Sequence, residues 1–181
     1  SEVTKRQRKT AKAVIFGIVY GISGFGLGEN LHIKPSDAKE FIEKYYQYYP
    51  NVKKYMDNII NDAKEKGYVT TLMGRKRVLE ELNSPNFMVR KQGERMALNT
   101  PIQGTSADII KMAMISINEE LKKKNLKSKL VLQIHDELIF DTYENELDEL
   151  KKIVKEQIEN VIKLSVPLKV EISCANNWYE V

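Results

Sequence analysis

The first predicted helix of this chain carries two stripes of side chains that differ in chemistry, which constrains its packing. Residues 4–22 place apolar side chains at the spacing of a buried helical face: Ala11, Val14, Ile15, Ile18 and Ile22. The second stripe contains Arg8, Lys12, Phe16 and Tyr20, each four residues after the last. Four residues turn an α-helix roughly 40° past a full turn, so the two stripes lie about 120° apart. One face can pack while the other meets a ligand.

The second stripe changes from cationic to aromatic over about 18 Å. A nucleoside triphosphate has the same order along its length, because its phosphates attract cations and its base stacks on rings. This order favours a nucleotide-binding helix. At this point an alternative stays open, in which Phe16 and Tyr20 belong to the core and Arg8 and Lys12 are ordinary surface charges.

Composition limits the classes of protein and of metal site. The chain has 181 residues, of which 42% are hydrophobic, enough for one domain with its own core. No apolar run approaches the roughly 20 residues that span a bilayer, so we expect an intracellular protein without a membrane partner. The one cysteine, Cys174, excludes an internal disulfide and a cysteine cluster for zinc or iron. Any metal must bind oxygen ligands.

The charge of the chain is unevenly distributed. The net charge is +4, and residues 1–12 alone carry five basic residues against one acidic residue. Further basic residues are Arg75, Lys76, Arg77, Arg90, Lys91 and Arg95. Residues 141–160 hold seven acidic residues and three lysines. The pattern predicts one surface that attracts polyanions, although charge runs of this kind also occur as solvated helix faces.

Periodicity and breakers predict an α+β fold in which helices and sheet are partly segregated. Glycines 24, 26 and 28 are expected to end the first helix. Further helices are predicted at 35–48, 50–66, 86–98, 102–123 and 144–163, and strands at 68–72, 129–134, 137–141 and 167–173. Five tyrosines, at positions 45, 46, 48, 49 and 55, are predicted to pack in the core.

Two smaller groups of residues carry chemistry. His135, Asp136 and Glu137 lie at a predicted strand reversal, and a carboxylate on a rigid strand end suits Mg²⁺, which prefers hard oxygen ligands. Arg95, Asn99 and Gln103 repeat the four-residue spacing, and all three can donate hydrogen bonds. Donors without base preference suit the minor groove of a duplex, where purine N3 and pyrimidine O2 are near-universal acceptors.

These residues also carry a resemblance to a known family. Residues 8–21, RKTAKAVIFGIVYG, resemble motif B of the family A DNA polymerases, R-x-x-x-K-x-x-x-F/Y-G-x-x-Y-G. Residues 133–138, QIHDEL, resemble motif C of that family and follow motif B in the required order. Residues 94–108 and 72–77 are similar to the family's E-R-x-A-x-N-x-P-x-Q-G-T-A-A-D and T-L-x-G-R-x-R segments. Ile15 departs from the asparagine that bacterial members usually carry.

The resemblance to motif B implies a role for each residue of the second stripe. Arg8 and Lys12 would bind the phosphates of the incoming nucleotide, and Lys12 would donate a proton to the leaving pyrophosphate. Phe16 would lie against the sugar and base and discriminate against dideoxynucleotides. Tyr20 would sit near the templating base.

The other motifs imply metal and DNA contacts. Asp136 would bind the catalytic metal, as one ligand of an expected pair of Mg²⁺ ions, with Glu137 as a supporting carboxylate. The implied primer–template contacts are Arg75, Arg77, Arg95, Asn99, Gln103, Gln133 and His135, with His135 at the primer end and the two arginines of the 72–77 turn on the template backbone.

The whole pattern predicts part of a polymerase domain over residues 1–181. Residues 1–80 would be mainly the helical fingers subdomain, and residues 81–181 part of the antiparallel-sheet palm subdomain. The function predicted is template-directed transfer of deoxynucleotides to a primer 3′-hydroxyl in DNA replication and repair. We expect a cytoplasmic setting, associated with the nucleoid if the source is bacterial, and leave an organellar one open.

The family's first metal-binding aspartate lies in a D-Y-S-Q-I-E type of motif, and this sequence contains no such pattern. We therefore expect the chain to need the remainder of a polymerase chain upstream, and to be inactive alone. The alternative is a non-catalytic module that binds primer–template DNA.

Overall fold

The computed structural model describes residues 3–180. Within that range the helices are α1 (Lys5–Val19), α2 (Gly24–Leu31), α3 (Pro35–Tyr48), α4 (Pro50–Lys66), α5 (Phe87–Asn99), α6 (Thr105–Lys123) and α7 (Leu147–Glu159). The strands are β1 (Tyr68–Thr70), β2 (Lys76–Val78), β3 (Lys129–Ile134) and β4 (Glu137–Asp141). A π-helical segment, Thr100–Gly104, joins α5 to α6.

The chain divides into two compact units, one up to Thr105 and one from Ser106. The first unit is helical apart from the hairpin of β1 and β2, which pair antiparallel with Val69 opposite Arg77. Its core joins α4, β1 and α5 through Ala63, Val69, Leu79, Leu82 and Ala97. The assignment of residues to fingers and palm, with its boundary near residue 80, stays a prediction.

In the second unit α6 and α7 pack against the antiparallel hairpin of β3 and β4. Five residues that are 7% exposed or less form the core: Ile117, Leu121, Leu150, Ile153 and Val154. Leu138 and Phe140 of β4 pack against this core. The hairpin therefore supplies one face of the core of this unit.

The expectation that glycines 24, 26 and 28 end the first helix is wrong, because α1 already ends at Val19 and the three glycines lie inside α2. The hydroxyl of Ser23 caps the helix by accepting from the Gly26 N–H at 3.1 Å. A Cβ at Gly28 would lie 3.0 Å from the Ile33 carbonyl oxygen and 3.3 Å from Pro35 Cα. Glycine is a poor helix former, but here it permits a close approach to the start of α3, and tertiary packing outweighs propensity.

Three other local predictions differ from the structure. No strand forms at 167–173; that stretch has no regular secondary structure among the described residues. The helices predicted at 102–123 and 144–163 are shorter, because a π-helical segment and a 3₁₀ turn precede them. Strand β2 is short and fully exposed, so no hydrophobic alternation marks it in the sequence.

The tyrosines of α3 and α4 are less buried than the sequence suggested. Tyr48 is 81% exposed, Tyr49 56% and Tyr55 54%. Tyr45 is half-buried and contacts Tyr49, with ring centroids 5.0 Å apart. Tyr46 is half-buried and its hydroxyl donates to Met56 Sδ of α4 at 3.6 Å. The prediction is wrong for Tyr48, Tyr49 and Tyr55, since α3 buries only the narrow face around Ala38.

Gly21 provides a test of the packing that ends α1. Its φ is +72°, and an added Cβ would lie 3.0 Å from Leu98 Cδ1 of α5. We expect Gly21→Ala to lower the free energy of unfolding by about 1–3 kcal/mol, from backbone strain together with the steric clash. Urea denaturation of the chain measures this.

The matched control is Gly67→Ala, where φ is +77° but nothing lies within 4 Å of an added Cβ. It carries the backbone strain alone, so its loss should be the smaller of the two. Equal losses would contradict the packing argument for Gly21.

Candidate nucleotide and nucleic-acid site

The second stripe is exposed at Arg8, Lys12 and Phe16 of α1 and half-buried at Tyr20, the C-cap residue. Thr4 and Gln7 form a capping box at its N-terminus, with the Gln7 N–H donating to Thr4 Oγ1 at 3.2 Å. Arg8 and Lys12 are exposed, and among the residues that the structure describes no carboxylate pairs with either. The first turn contains no acidic residue. Both cations are therefore available to an anion.

The aromatic part of the stripe follows directly. Lys12 Nζ lies 5.7 Å from the ring centroid of Phe16, and the rings of Phe16 and Tyr20 are 6.0 Å apart at 45°. Phe16 is 50% exposed. The alternative in which Phe16 is a core residue is thus wrong for this unit, and the predicted order of cation, ring and second ring is present on one surface.

The apolar stripe of α1 is narrower than predicted. Ile18 is 1% exposed and Val14 half-buried, whereas Ile15 is 47% exposed and Ala11 is exposed as well. At 100° per residue, Ile15 lies only about 20° from Arg8 around the helix, next to the ligand-facing stripe. The departure from the family pattern at position 15 is therefore on an accessible surface.

The end of α1 positions Tyr20. The Ile22 N–H donates to the Gly17 carbonyl at 2.8 Å and the Gly21 N–H to the Ile18 carbonyl at 2.9 Å, the two bonds of a Schellman motif. A Cβ at Gly21 would also lie 3.4 Å from Arg95 Cγ. The Tyr20 end of the stripe is thus held against α5 beside a predicted DNA contact.

The turn between β1 and β2 is fastened to the π-helical segment. Leu72 N–H donates to Thr105 Oγ1 at 2.9 Å, and Thr105 Oγ1 donates to the Pro101 carbonyl at 2.5 Å. Arg75 Nη2 donates to the Gly104 carbonyl at 3.0 Å. A Cβ at Gly104 would approach Thr71 Cγ2 to 2.6 Å, so only glycine permits this contact. Part of the Arg75 guanidinium therefore has a structural task.

Arg77 is bound to the same junction. Its Nη1 lies 3.4 Å from Thr100 Oγ1, and that hydroxyl donates to the Met96 carbonyl at 2.7 Å. The junction thus gathers Arg75, Arg77, Asn99 and Gln103 in one part of the first unit. Thr71 and Thr105 hold it together, and sequence reasoning found neither of these contacts, because a threonine that binds a distant turn leaves no motif.

The π-helical winding affects the line of predicted minor-groove donors. From Arg95 to Asn99 an α-helix overshoots a full turn by roughly 40°. A π-helix has more residues per turn, so the four residues from Asn99 to Gln103 turn through a smaller angle. The two steps partly compensate, and Gln103 stays closer to the line of Arg95 than it would in an unbroken α-helix. Pro101, which lacks an N–H, favours the irregular winding.

Asn99 leaves one polar atom without a partner. The residue is half-buried, and its Oδ1 is buried and accepts no hydrogen bond from the described residues. A buried polar atom in this state costs about 1–3 kcal/mol. Arg95 and Gln103 on either side are exposed.

The second unit carries the carboxylate turn. Strands β3 and β4 pair with Ile134 opposite Glu137, so the turn consists of His135 and Asp136 alone. His135 has φ +52°, which is unusual for a residue with a side chain. Asp136 and Glu137 are both exposed. Both strands of this hairpin have the predicted bounds, and the register is irregular between Leu130 and Leu132.

The base of this hairpin is tied to the start of α7 by one carboxylate. Glu146 accepts from the N–H groups of Lys127 and Ser128, at 3.0 Å and 2.8 Å, and from Ser128 Oγ at 2.6 Å. Ser128 Oγ in turn accepts from the Tyr143 N–H at 3.2 Å. Hydrogen bonds from the Lys127 backbone and then the Ser128 hydroxyl hold the pKa of the Glu146 carboxyl below its usual value. No short motif in the sequence marks this contact.

Glu146 therefore makes the stability of this unit depend on pH. A carboxyl whose pKa is lowered by folding contributes stability above its ordinary pKa and loses that contribution as the pH falls through the lowered value. We expect the Glu146→Gln variant to lose less free energy of unfolding than the wild type as the pH falls from about 5 to about 2. Urea unfolding at each pH measures this difference.

Glu144→Gln is the matched control for this measurement, because Glu144 is exposed in the same 3₁₀ turn. It should leave the acid dependence unchanged. An acid profile identical in wild type and Glu146→Gln would contradict the role given to Glu146.

The carboxylates at the hairpin turn are the type of ligand that a divalent metal prefers, but the described residues place fewer than three such ligands together. Carboxylate oxygens are the ligands that Mg²⁺ prefers, and Asp136 presents one at a rigid turn. Within residues 3–180, however, no three histidine, cysteine, aspartate or glutamate side chains are grouped closely enough to hold a metal ion. Asp136 and the adjacent Glu137 are the carboxylates that the hairpin turn offers.

The predicted residues thus fall into two sets. The first unit brings together the α1 stripe, the 72–77 turn and the donors around the π-helical segment. The second unit holds Gln133, His135, Asp136 and Glu137. No helix in the described range is both long and apolar enough to cross a membrane.

Comparison with solved structures identifies the fold. The polymerase domain of Pol1 from M. smegmatis, in complex with DNA primer-template and dNTP, matches with a TM-score of 0.89 and 43% sequence identity. The match covers 93% of this chain and 30% of that one. The fold is therefore that of part of a polymerase domain, with mostly helices and small antiparallel sheets.

Sequence relatives give the family. The model of DNA polymerase family A matches residues 1–180. DNA polymerase I of Bacillus caldotenax is 52% identical over 179 residues, and that of Lactococcus lactis subsp. lactis (strain IL1403) 50% over the same length. The match takes in 99% of this chain and 20% of each relative. This chain belongs to DNA polymerase family A and spans about a fifth of the length of these curated relatives.

Proposed function

We propose that this chain is part of a DNA polymerase that transfers deoxynucleotides from their triphosphates to a primer 3′-hydroxyl under direction of a template. The observation that carries the proposal is the exposed stripe of α1, in which two cations without a carboxylate partner in the described part of the chain precede two rings. Elsewhere on the described helices, lysines commonly pair with a carboxylate one turn away, as in Lys44 with Glu40 at 2.6 Å. Arg8 and Lys12 lie one turn apart next to two rings, and together they offer positive charge that a polyphosphate can bind.

In this proposal Arg8 and Lys12 bind the triphosphate of the incoming nucleotide. Their charge offsets the negative charge that builds up on the leaving pyrophosphate, and Lys12 donates a proton to it. Phe16 lies against the sugar and base, and Tyr20 near the templating base. Because Lys12 lies close to the ring of Phe16, the cation and the ring are positioned together.

The junction around the π-helical segment and the 72–77 turn is proposed to hold the primer–template. Arg95, Asn99 and Gln103 donate to minor-groove acceptors, which are the same for every correct base pair. Arg75 and Arg77 bind backbone phosphates, which supply affinity without sequence preference.

Asp136 is proposed to bind Mg²⁺, with Glu137 as a supporting carboxylate and His135 at the primer end. Two metal ions, when bound, stabilise the attacking and leaving oxygens of the transfer. Since the described residues group no three metal ligands, the remaining ligands come from another part of the polymerase. The 181-residue chain by itself is proposed to bind nucleotide and DNA without transferring a nucleotide.

The nucleotide stripe is tested with Arg8→Ala in the full-length polymerase that contains this chain. We expect the KM for the deoxynucleotide to rise about 10-fold to 100-fold, because the variant loses a hydrogen bond to a charged group. Steady-state primer extension measures it. Arg6→Ala is the control, since Arg6 lies about 160° from Arg8 around α1. If both variants change the KM equally, the stripe has no special role.

The carboxylate is tested with Asp136→Asn, which keeps the size of the side chain and removes its charge. We expect the rate of extension at saturating substrates to fall at least about a thousandfold, because a metal contributes several kcal/mol to charge stabilisation. Asp141→Asn, an exposed aspartate on the same hairpin, should retain full activity. An active Asp136→Asn enzyme would overturn the proposed metal ligand.

A further inference from the structure

The side chain of Gln133, which the sequence predicts to contact DNA, binds the turn that carries Asp136. Gln133 Nε2 donates to the backbone carbonyl oxygen of His135 at 3.1 Å. A flipped amide would put two acceptors in contact, so this contact also fixes the orientation of the Gln133 amide. Gln133 lies on β3, two residues before the carbonyl that it binds.

The carbonyl in question belongs to the peptide unit that joins His135 to Asp136. Holding its oxygen restrains ψ of His135 and φ of Asp136, the two torsions that set the direction of the Asp136 Cα–Cβ bond, from which the carboxylate projects. Because the turn has only two residues, few other torsions are free to compensate.

This restraint acts where the backbone is strained. His135 has φ +52°, and Asp136 is not among the described residues with positive φ. Glycine is the residue that most readily adopts a positive φ at the first position of a two-residue hairpin turn. A histidine at that position raises the energy of the turn, so the turn is held only where surrounding contacts oppose its relaxation.

We propose that Gln133 is a positioning residue that fixes the direction of the Asp136 carboxylate by binding the His135 carbonyl, rather than chiefly a contact to DNA. The proposal rests on the function proposed above, since it assigns Gln133 a task in that same site. It separates two roles that affect different kinetic constants. A DNA contact changes the affinity for primer–template, whereas a misdirected carboxylate changes the rate of the bound complex.

The experiment uses the full-length polymerase with Gln133→Met, which keeps the length of the side chain and removes the donor. At saturating primer–template and nucleotide we expect kcat to fall between about threefold and about tenfold, the worth of one exposed hydrogen bond. The KM for primer–template should stay unchanged. Gln103→Ala is the control for a DNA contact, and there we expect the KM to rise with kcat little changed.

A second readout does not depend on activity. Hydrogen exchange of the metal-free polymerase reports local opening of the hairpin at residues 130–141. Exchange around the turn should become faster in Gln133→Met, by a factor similar to the fall in kcat, and stay at the wild-type rate in Gln103→Ala.

The outcomes separate this inference from the proposed function. If the wild-type polymerase extends a primer and Asp136→Asn does not, the proposed function stands, and a raised KM with unchanged kcat in Gln133→Met then overturns the positioning role alone. Unchanged exchange at the turn overturns it as well. If Asp136→Asn remains active, the proposed function itself fails, whatever Gln133→Met does.

Discussion

The close contact between Gly21 and Leu98 is the constraint on which the organisation of the first unit depends. It lets α1 end in a left-handed turn pressed against α5. The narrow apolar face of α1 around Ile18 is buried, whereas Arg8, Lys12 and Phe16 on the second stripe are exposed. A bulkier residue at position 21 would push the end of α1 away from α5, the helix that carries Arg95.

Pairing of charges separates structural from functional residues on this surface. Glu94 shows the structural pattern, because it binds Lys64 of α4 at 2.6 Å and Lys91 of α5 at 2.7 Å. Although burial alone would raise it, these two lysines hold the pKa of the Glu94 carboxyl below its usual value. Arg8 and Lys12 have no such partner among the described residues. The positive charge of these two residues is therefore free for an external anion.

Local rules predicted the elements whose boundaries depend on local chemistry. Pro35 and Pro50 begin α3 and α4, Gly67 ends α4, and the two-residue turn at His135 and Asp136 fixes β3 and β4. The order of charge and ring along α1 follows from helical spacing and was also predictable. In each case the residues that determine the feature lie within one or two turns of it.

The features that were missed depend on contacts between distant parts of the chain. Helix α2 forms because Gly28 can approach Pro35, and the π-helical segment is held by the turn at Leu72. Exposure of Tyr48 depends on which face of α3 finds a partner, and helical periodicity cannot specify the partner. The contacts of Gln133 and Glu146 could not be predicted either. Both side chains bind backbone groups, and no sequence motif marks a hydrogen bond to the backbone.

The roles of α1 and Asp136 can be seen together in a structure of the full-length polymerase with primer–template, an unreactive deoxynucleotide analogue and Mn²⁺. We expect an anomalous metal peak about 2.1 Å from an Asp136 carboxylate oxygen, with the triphosphate bound by Arg8 and Lys12 and at least one further metal ligand from outside this chain. A triphosphate bound away from α1, or a metal site that excludes Asp136, would contradict these roles.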